Sequence, residues 1–170
     1  MAPTLFENSA KPGDLIQISR GTYEHWAVYI GGNEVVHLIP PCADDSDTFS
    51  NMLMLLDSNT AQVRRQKIWE VVGSHEFKIN NLLDGECQPR ERHIIVREAC
   101  SMVGRELPYS LTTHNCEHFV TELRYGKPES QQVQTAAVIG GVAAAGVGIV
   151  ALGATLFALL KDDNKKRRHK

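Results

Sequence analysis

Apolar residues recur along this chain with several spacings, and each spacing predicts a different kind of element. At 25–38 the order His-Trp-Ala-Val-Tyr-Ile, Gly-Gly-Asn-Glu, Val-Val-His-Leu sets two β-rich segments around a glycine-containing turn. That is the pattern of a hairpin. Cys116, Phe119, Val120 and Leu123 fall at i, i+3, i+4 and i+7, one stripe of an amphipathic helix. Asn115 suits the N-cap of that helix and Gly126 its C-terminal stop. Arg90 to Gly104 predicts a second helix, with Ile94, Ile95, Ala99 and Met102 on its apolar stripe. Val63 to Val72 predicts a strand carrying Ile68, Glu70 and Val72 on one face and Trp69 and Val71 on the other. Phe77 to Leu83 predicts another. Pro40 to Asp47 predicts a loop, whose acidic run at 44–47 lacks the spacing and closing Glu of a calcium loop.

The pattern changes after Gln134. Ala136 to Leu160 carries no charge over 25 residues, long enough to span about 30 Å of hydrocarbon. It predicts a C-terminal membrane helix. Gly140, Ala144 and Gly148 repeat at four-residue spacing and offer a small-residue face for self-association. A basic tail follows at 161–170, with six of the 18 Lys and Arg and two of the 20 Asp and Glu. Residues 1–160 are left with 12 basic and 18 acidic side chains, a net charge of −6. A basic cluster beside an apolar segment favours anionic lipid head groups over nucleic acid as its partner. The organisation expected is an N-terminal segment 1–10, one catalytic domain 11–127, a linker 128–135, the membrane segment and the tail. At 170 residues the chain has no room for a second core.

Four cysteines at 42, 87, 100 and 116 show no disulfide or metal spacing, and no secretory signal opens the chain. Reduced thiols on the cytoplasmic side are expected. His114-x-Cys116-x-His118 is a poor chelate, because i and i+2 diverge on a helix. No metal and no cofactor are expected. Cys116 instead heads its helix among unpaired backbone N–H groups, at the positive end of the dipole, which favours the thiolate. A thiol nucleophile needs a base and a group that orients the base. His25 and His37 are the candidates. With a three-residue loop at Gly31 to Asn33, Ile30 pairs with Glu34 and His37 falls opposite Ala27, on the face of His25 and diagonal to it. Diagonal neighbours lie about 7–8 Å apart, within reach of two imidazoles. A two-residue loop would put the histidines on opposite faces.

The segments Pro12 to Ile16, Tyr23 to Gly31, Val35 to Leu38, Asn115 to Val120 and Leu123 to Gly126 together resemble the lecithin retinol acyltransferase-like proteins. The resemblance is greatest to their phospholipase A and acyltransferase branch and covers 11–127 in order and spacing. It implies an α+β, circularly permuted papain-like domain, in which a small antiparallel sheet bearing the histidines precedes the cysteine helix. It implies a triad of nucleophile Cys116, base His25 and third member His37. It further implies calcium-independent cleavage of glycerophospholipids at sn-1 or sn-2, with the acyl group passed to water, to the amine of phosphatidylethanolamine or to a lysophospholipid. Arg20 and Tyr23, just ahead of the first histidine, are assigned to the lipid head group or the developing oxyanion, and Asn115 to substrate binding. The chain departs from the usual pattern at Gly21-Thr22, at Gly32-Asn33-Glu34 and at His114, none of which touches the triad.

The reading is therefore a thiol phospholipase A and O- and N-acyltransferase, anchored by its C-terminus to the cytoplasmic face of intracellular membranes. A translocated basic end runs against the positive-inside tendency. The alternatives for 136–160 are therefore a re-entrant or interfacial helix, or the peroxisomal and outer mitochondrial kind of tail anchor, where basic tails are common. Two alternatives keep the same residues. A non-catalytic membrane adaptor would leave Cys116 unreactive toward an acyl probe, and a cysteine peptidase would release peptides in place of fatty acid.

Overall fold

The hairpin is the centre of the architecture. The computed structural model describes residues 9–40, 59–110, 113–132 and 134–135. The strands are β1 (Leu15–Ser19), β2 (Glu24–Gly31), β3 (Glu34–Ile39), β4 (Thr60–Lys67), β5 (Phe77–Ile79) and β6 (Glu106–Pro108). The helices are α1 (Ile68–Val72), α2 (Arg92–Met102) and α3 (Cys116–Tyr125). All strands pair antiparallel in one sheet of order β5-β1-β2-β3-β4-β6, so the α+β class expected holds.

Alternation along the central strands divides the core in two. Trp26, Val28, Val36, Leu38, Ala61 and Val63 pack with Ile95 and Ala99 of α2 and with Cys116, Phe119, Val120 and Leu123 of α3. Ala27, Tyr29 and Val35 face the other way, toward Ile68, Val71 and Val72 of α1.

The predicted strand 63–72 is half right. β4 ends at Lys67 and α1 starts at Ile68, because Ile68, Val71 and Val72 are buried at i, i+3 and i+4, a helical spacing that alternation concealed. Lys67 N–H is accepted by the Glu70 carboxylate at 3.3 Å, and Ile68 N–H by Asn33 O at 2.8 Å. Gly73, at φ 57°, ends the turn. The strand predicted at 77–83 stops at Ile79. Beyond it Asn81 turns inward, its Oδ1 accepting Leu15 N–H at 2.9 Å. The helix predicted at 90–104 is α2, with Ile95 and Ala99 buried.

The turn differs from the three-residue loop in an instructive way. Gly31 pairs with Glu34 across a two-residue turn in which Gly32 and Asn33 both have φ 60°, the geometry primed hairpin turns require. The register then slips by one between Tyr29 and Gly31. Ile30 is thus an extra residue that restores the pairing Ala27 with His37, and the histidines share a face after all.

Both ends of α3 are tied down. At its C-terminal end the Arg124 guanidinium donates to Asp84 at 3.0 and 2.8 Å and to Gly13 O at 2.7 Å. Gly126 closes the helix at φ 77°. The chain then folds back: Thr121 Oγ1 accepts Glu129 N–H at 2.9 Å, and Ser130 Oγ donates to the buried Glu117 carboxylate at 2.6 Å. The chain divides into two compact units, Met1–Ser130 and Gln131–Lys170. Among the described residues no helix is long and apolar enough to cross a membrane. The segments 136–160 and 161–170, and the 44–47 run, lie outside the described residues.

Candidate active site

Each of the three principal candidates is positioned by a different local device. Asn115 caps α3, its Oδ1 accepting the N–H groups of Glu117 and His118 at 2.9 and 3.0 Å, and this sets Cys116 as the first helical residue. His25 and His37 are set by the bulged hairpin. His25 Nε2 lies 2.9 Å from His37 Nδ1, with ring centroids 5.2 Å apart and the planes at 75°. His37 is 2% exposed and Cys116 6%.

The cysteine meets the histidine strand along its edge rather than across a face. β2 and β3 stop pairing beyond Ala27 and His37. Against the free edge of β2, Cys116 Sγ lies 3.8 Å from Glu24 O. The Trp26 N–H bonds the sulfur from the other side of His25, and the N–H groups of Cys116 and Glu117 point at it from the helix start. The sulfur is therefore held beside the backbone that carries His25.

The thiol's acidity runs opposite to the expectation from the helix start. Burial pushes the Cys116 pKa up to about 12, against the lowering by the Trp26 N–H, with the adjacent Glu117 carboxylate adding to the rise. The helix-start N–H groups act in the expected direction, but a thiolate removed from water costs more than they return. The histidines shift down. Burial, then His37 and Arg20, hold His25 well below its ordinary value. Burial holds His37 at about 4, despite the opposing hydrogen bond to the Gln66 side chain. The resting site is thus a neutral thiol beside two neutral imidazoles.

Arg20 donates to Val71 O and lies 3.0 Å from His75 Nδ1, so part of its guanidinium is fixed by the end of α1. Its charge still reaches Tyr23, His25 and His37. Tyr23 is partly buried, and burial raises its pKa against the pull of Arg20. Asn115 is 6% exposed, and its side chain serves the helix cap and approaches Ser130 Oγ at 3.5 Å.

Three residues that sequence reasoning passed over stand close to the candidates. Gln66 on β4 places Oε1 2.8 Å from His37 Nε2. Tyr109 is 6% exposed in the same cluster as Cys116, and burial, then Cys116 and Tyr23, raise its pKa. Glu117 is 1% exposed beside the nucleophile. Gln66 becomes visible only once β4 is paired with β3 in the register His37 to Arg64 and Val35 to Gln66.

Residues 8–129 match the lecithin retinol acyltransferase family. The chain is 46% identical over 155 residues to human Phospholipase A and acyltransferase 4, covering 91% of this chain and 93% of that protein. It is 41% identical over 158 residues to mouse Phospholipase A and acyltransferase 3, covering 93% and 94%. With human Phospholipase A and acyltransferase 2 it shares 41% over 156 residues, covering 92% and 94%.

Proposed function

The chain belongs to the lecithin retinol acyltransferase family, and from that premise we propose that it is a calcium-independent thiol phospholipase A and acyltransferase acting on glycerophospholipids. The observation that carries the reading is the His25–His37 contact at 2.9 Å, beside a buried sulfur held on either side of His25.

The cycle follows from the neutral resting site. A buried thiol that keeps its proton becomes a nucleophile only as the proton leaves, so His25 takes it while Cys116 Sγ attacks the acyl-ester carbonyl. The helix-start N–H of Cys116 is the donor offered to the tetrahedral oxyanion, since the N–H of Glu117 is already accepted by Asn115 Oδ1. Collapse breaks the ester bond, and the His25 imidazolium returns its proton to the departing lysophospholipid. An acyl-thioester on Cys116 remains. In the second half His25 takes a proton from water, from the amine of phosphatidylethanolamine or from a lysophospholipid hydroxyl as that group attacks the thioester carbonyl. The C–S bond then breaks and the imidazolium returns the proton to the departing sulfur. Tyr23, near the sulfur, and Arg20, whose charge reaches both imidazoles, are the residues assigned to the lipid head group. The uncharged run 136–160 holds the domain at a membrane, which raises the effective concentration of lipid.

Intact-protein mass measurement after incubation with phosphatidylcholine tests the reading. One added acyl chain, mapped to Cys116 and absent from Cys116→Ser, is expected. Turnover without a Cys116 adduct at any quench time would overturn it.

A further inference from the structure

Gln66 has no part in the cycle above, yet its contact determines where the protons sit. An amide oxygen can only accept, so the hydrogen in the 2.8 Å contact between Gln66 Oε1 and His37 Nε2 belongs to the ring. A neutral imidazole carries one N–H, which leaves His37 Nδ1 with a lone pair. The 2.9 Å contact to His25 Nε2 is then a hydrogen bond donated by His25. His25 in turn has its one N–H on Nε2, and its Nδ1 is the free lone pair.

We propose that Gln66 is a positioning residue that, acting through His37, fixes His25 in its Nε2–H tautomer and so makes Nδ1 the atom that receives the Cys116 proton. The proposal rests on the roles given above to Cys116 and His25 and deepens them. When the Sγ–H bond breaks, the proton forms Nδ1–H on His25 and the electron pair stays on sulfur. The Nε2–H of His25 still donates to His37 Nδ1, so no second proton moves and His37 remains neutral. The surroundings support that neutrality. Arg20, from the β1–β2 connection, and Arg64, on β4, both oppose a further cation at His37, and the titratable group in contact with its ring is His25 on β2. If Gln66 instead presented its amide nitrogen, His37 would donate from Nδ1 and His25 would point an N–H at the thiol. No base would remain.

The two arrangements give different spectra. In the full chain, held in phosphatidylcholine nanodiscs with 15N-labelled histidine, long-range 1H–15N correlations at neutral pH should show His25 and His37 both protonated at Nε2. His37 protonated at Nδ1 would overturn the proposal, and this measurement needs no variant to fold. Gln66→Met should convert His37 to a tautomer mixture and lower kcat roughly tenfold or more, with KM within about twofold. Gln66→Glu keeps an acceptor oxygen and should restore the Nε2–H form of His37. Unchanged tautomers and kcat in Gln66→Met would also defeat the idea. Failure of Cys116 to form an acyl-thioester, with the tautomers as stated, would instead defeat the catalytic reading and leave the proton placement standing.

Discussion

Cys116 keeps its proton at rest because burial outweighs the helix start, and that has a measurable signature. Alkylation of Cys116 by iodoacetamide should keep accelerating as pH rises past 8, whereas a plateau below pH 8 would mean a preformed thiolate–imidazolium pair. Cys116→Ser and His25→Ala should each lower turnover by roughly a thousandfold or more, and His37→Asn should lower it less, since members of a triad are unequal. Steady-state assay on phosphatidylcholine decides the order, and an active His25→Ala beside a dead His37→Asn would exchange base and orienter. The histidines also shape stability. A histidine whose folded pKa lies below its unfolded value leaves the unfolded chain binding more protons, so stability is full above about 6.5 and falls as pH drops toward the folded value. For His37, held at about 4, the loss should develop between those limits and reach about 3 kcal/mol, and His37→Asn should flatten that slope in denaturant titrations. At this scale the placement of the three candidates was legible, since a helix-start cysteine and two histidines on one hairpin are local patterns. Gln66 and the sign of the thiol shift were not, because both depend on which distant segments close over the site.

Among the elements, the hairpin was legible in its outcome and misread in its means. Composition pointed to a turn at 31–33, but the count that places both histidines on one face comes from Gly32 and Asn33 at positive φ combined with the extra Ile30. α1 was misread because Ile68, Val71 and Val72 satisfy helical spacing within a stretch too short to separate the two periods. The return of the chain onto α3 left no periodic signal, being made by single polar contacts at Thr121, Glu129 and Ser130. Those contacts predict that Ser130→Ala costs about 1–3 kcal/mol in chemical denaturation, because the buried Glu117 carboxylate loses a donor. A chain ending at Lys127 should be less stable than one ending at Gln132 for the same reason. Equal midpoints would show that the return contributes nothing to holding the helix start.

The whole molecule divides its charge, with an acidic 1–160 and a basic 161–170. A chain ending at Gln132 should hydrolyse short-chain, monomeric phospholipid yet lag on vesicles. The full chain should lead most with anionic lipid and low salt, where each Lys or Arg near the surface contributes about 1 kcal/mol. Equal vesicle rates would leave 133–170 with another task. Topology was legible as α+β and as histidine strands preceding the cysteine helix, whereas the strand order and the partition into two cores required long-range pairings. The same topology bears on how the site comes into being. The two imidazoles are 12 residues apart, while the sulfur closes on Glu24 across 92. Joining the longer loop costs about 2 kcal/mol more chain entropy. The imidazole pair should therefore assemble early, with the thiol arriving last and leaving first. Pulse-labelling during refolding should find a protected β2–β3 hairpin while Cys116 is still open to solvent, and in that interval the nascent enzyme is most exposed to oxidation.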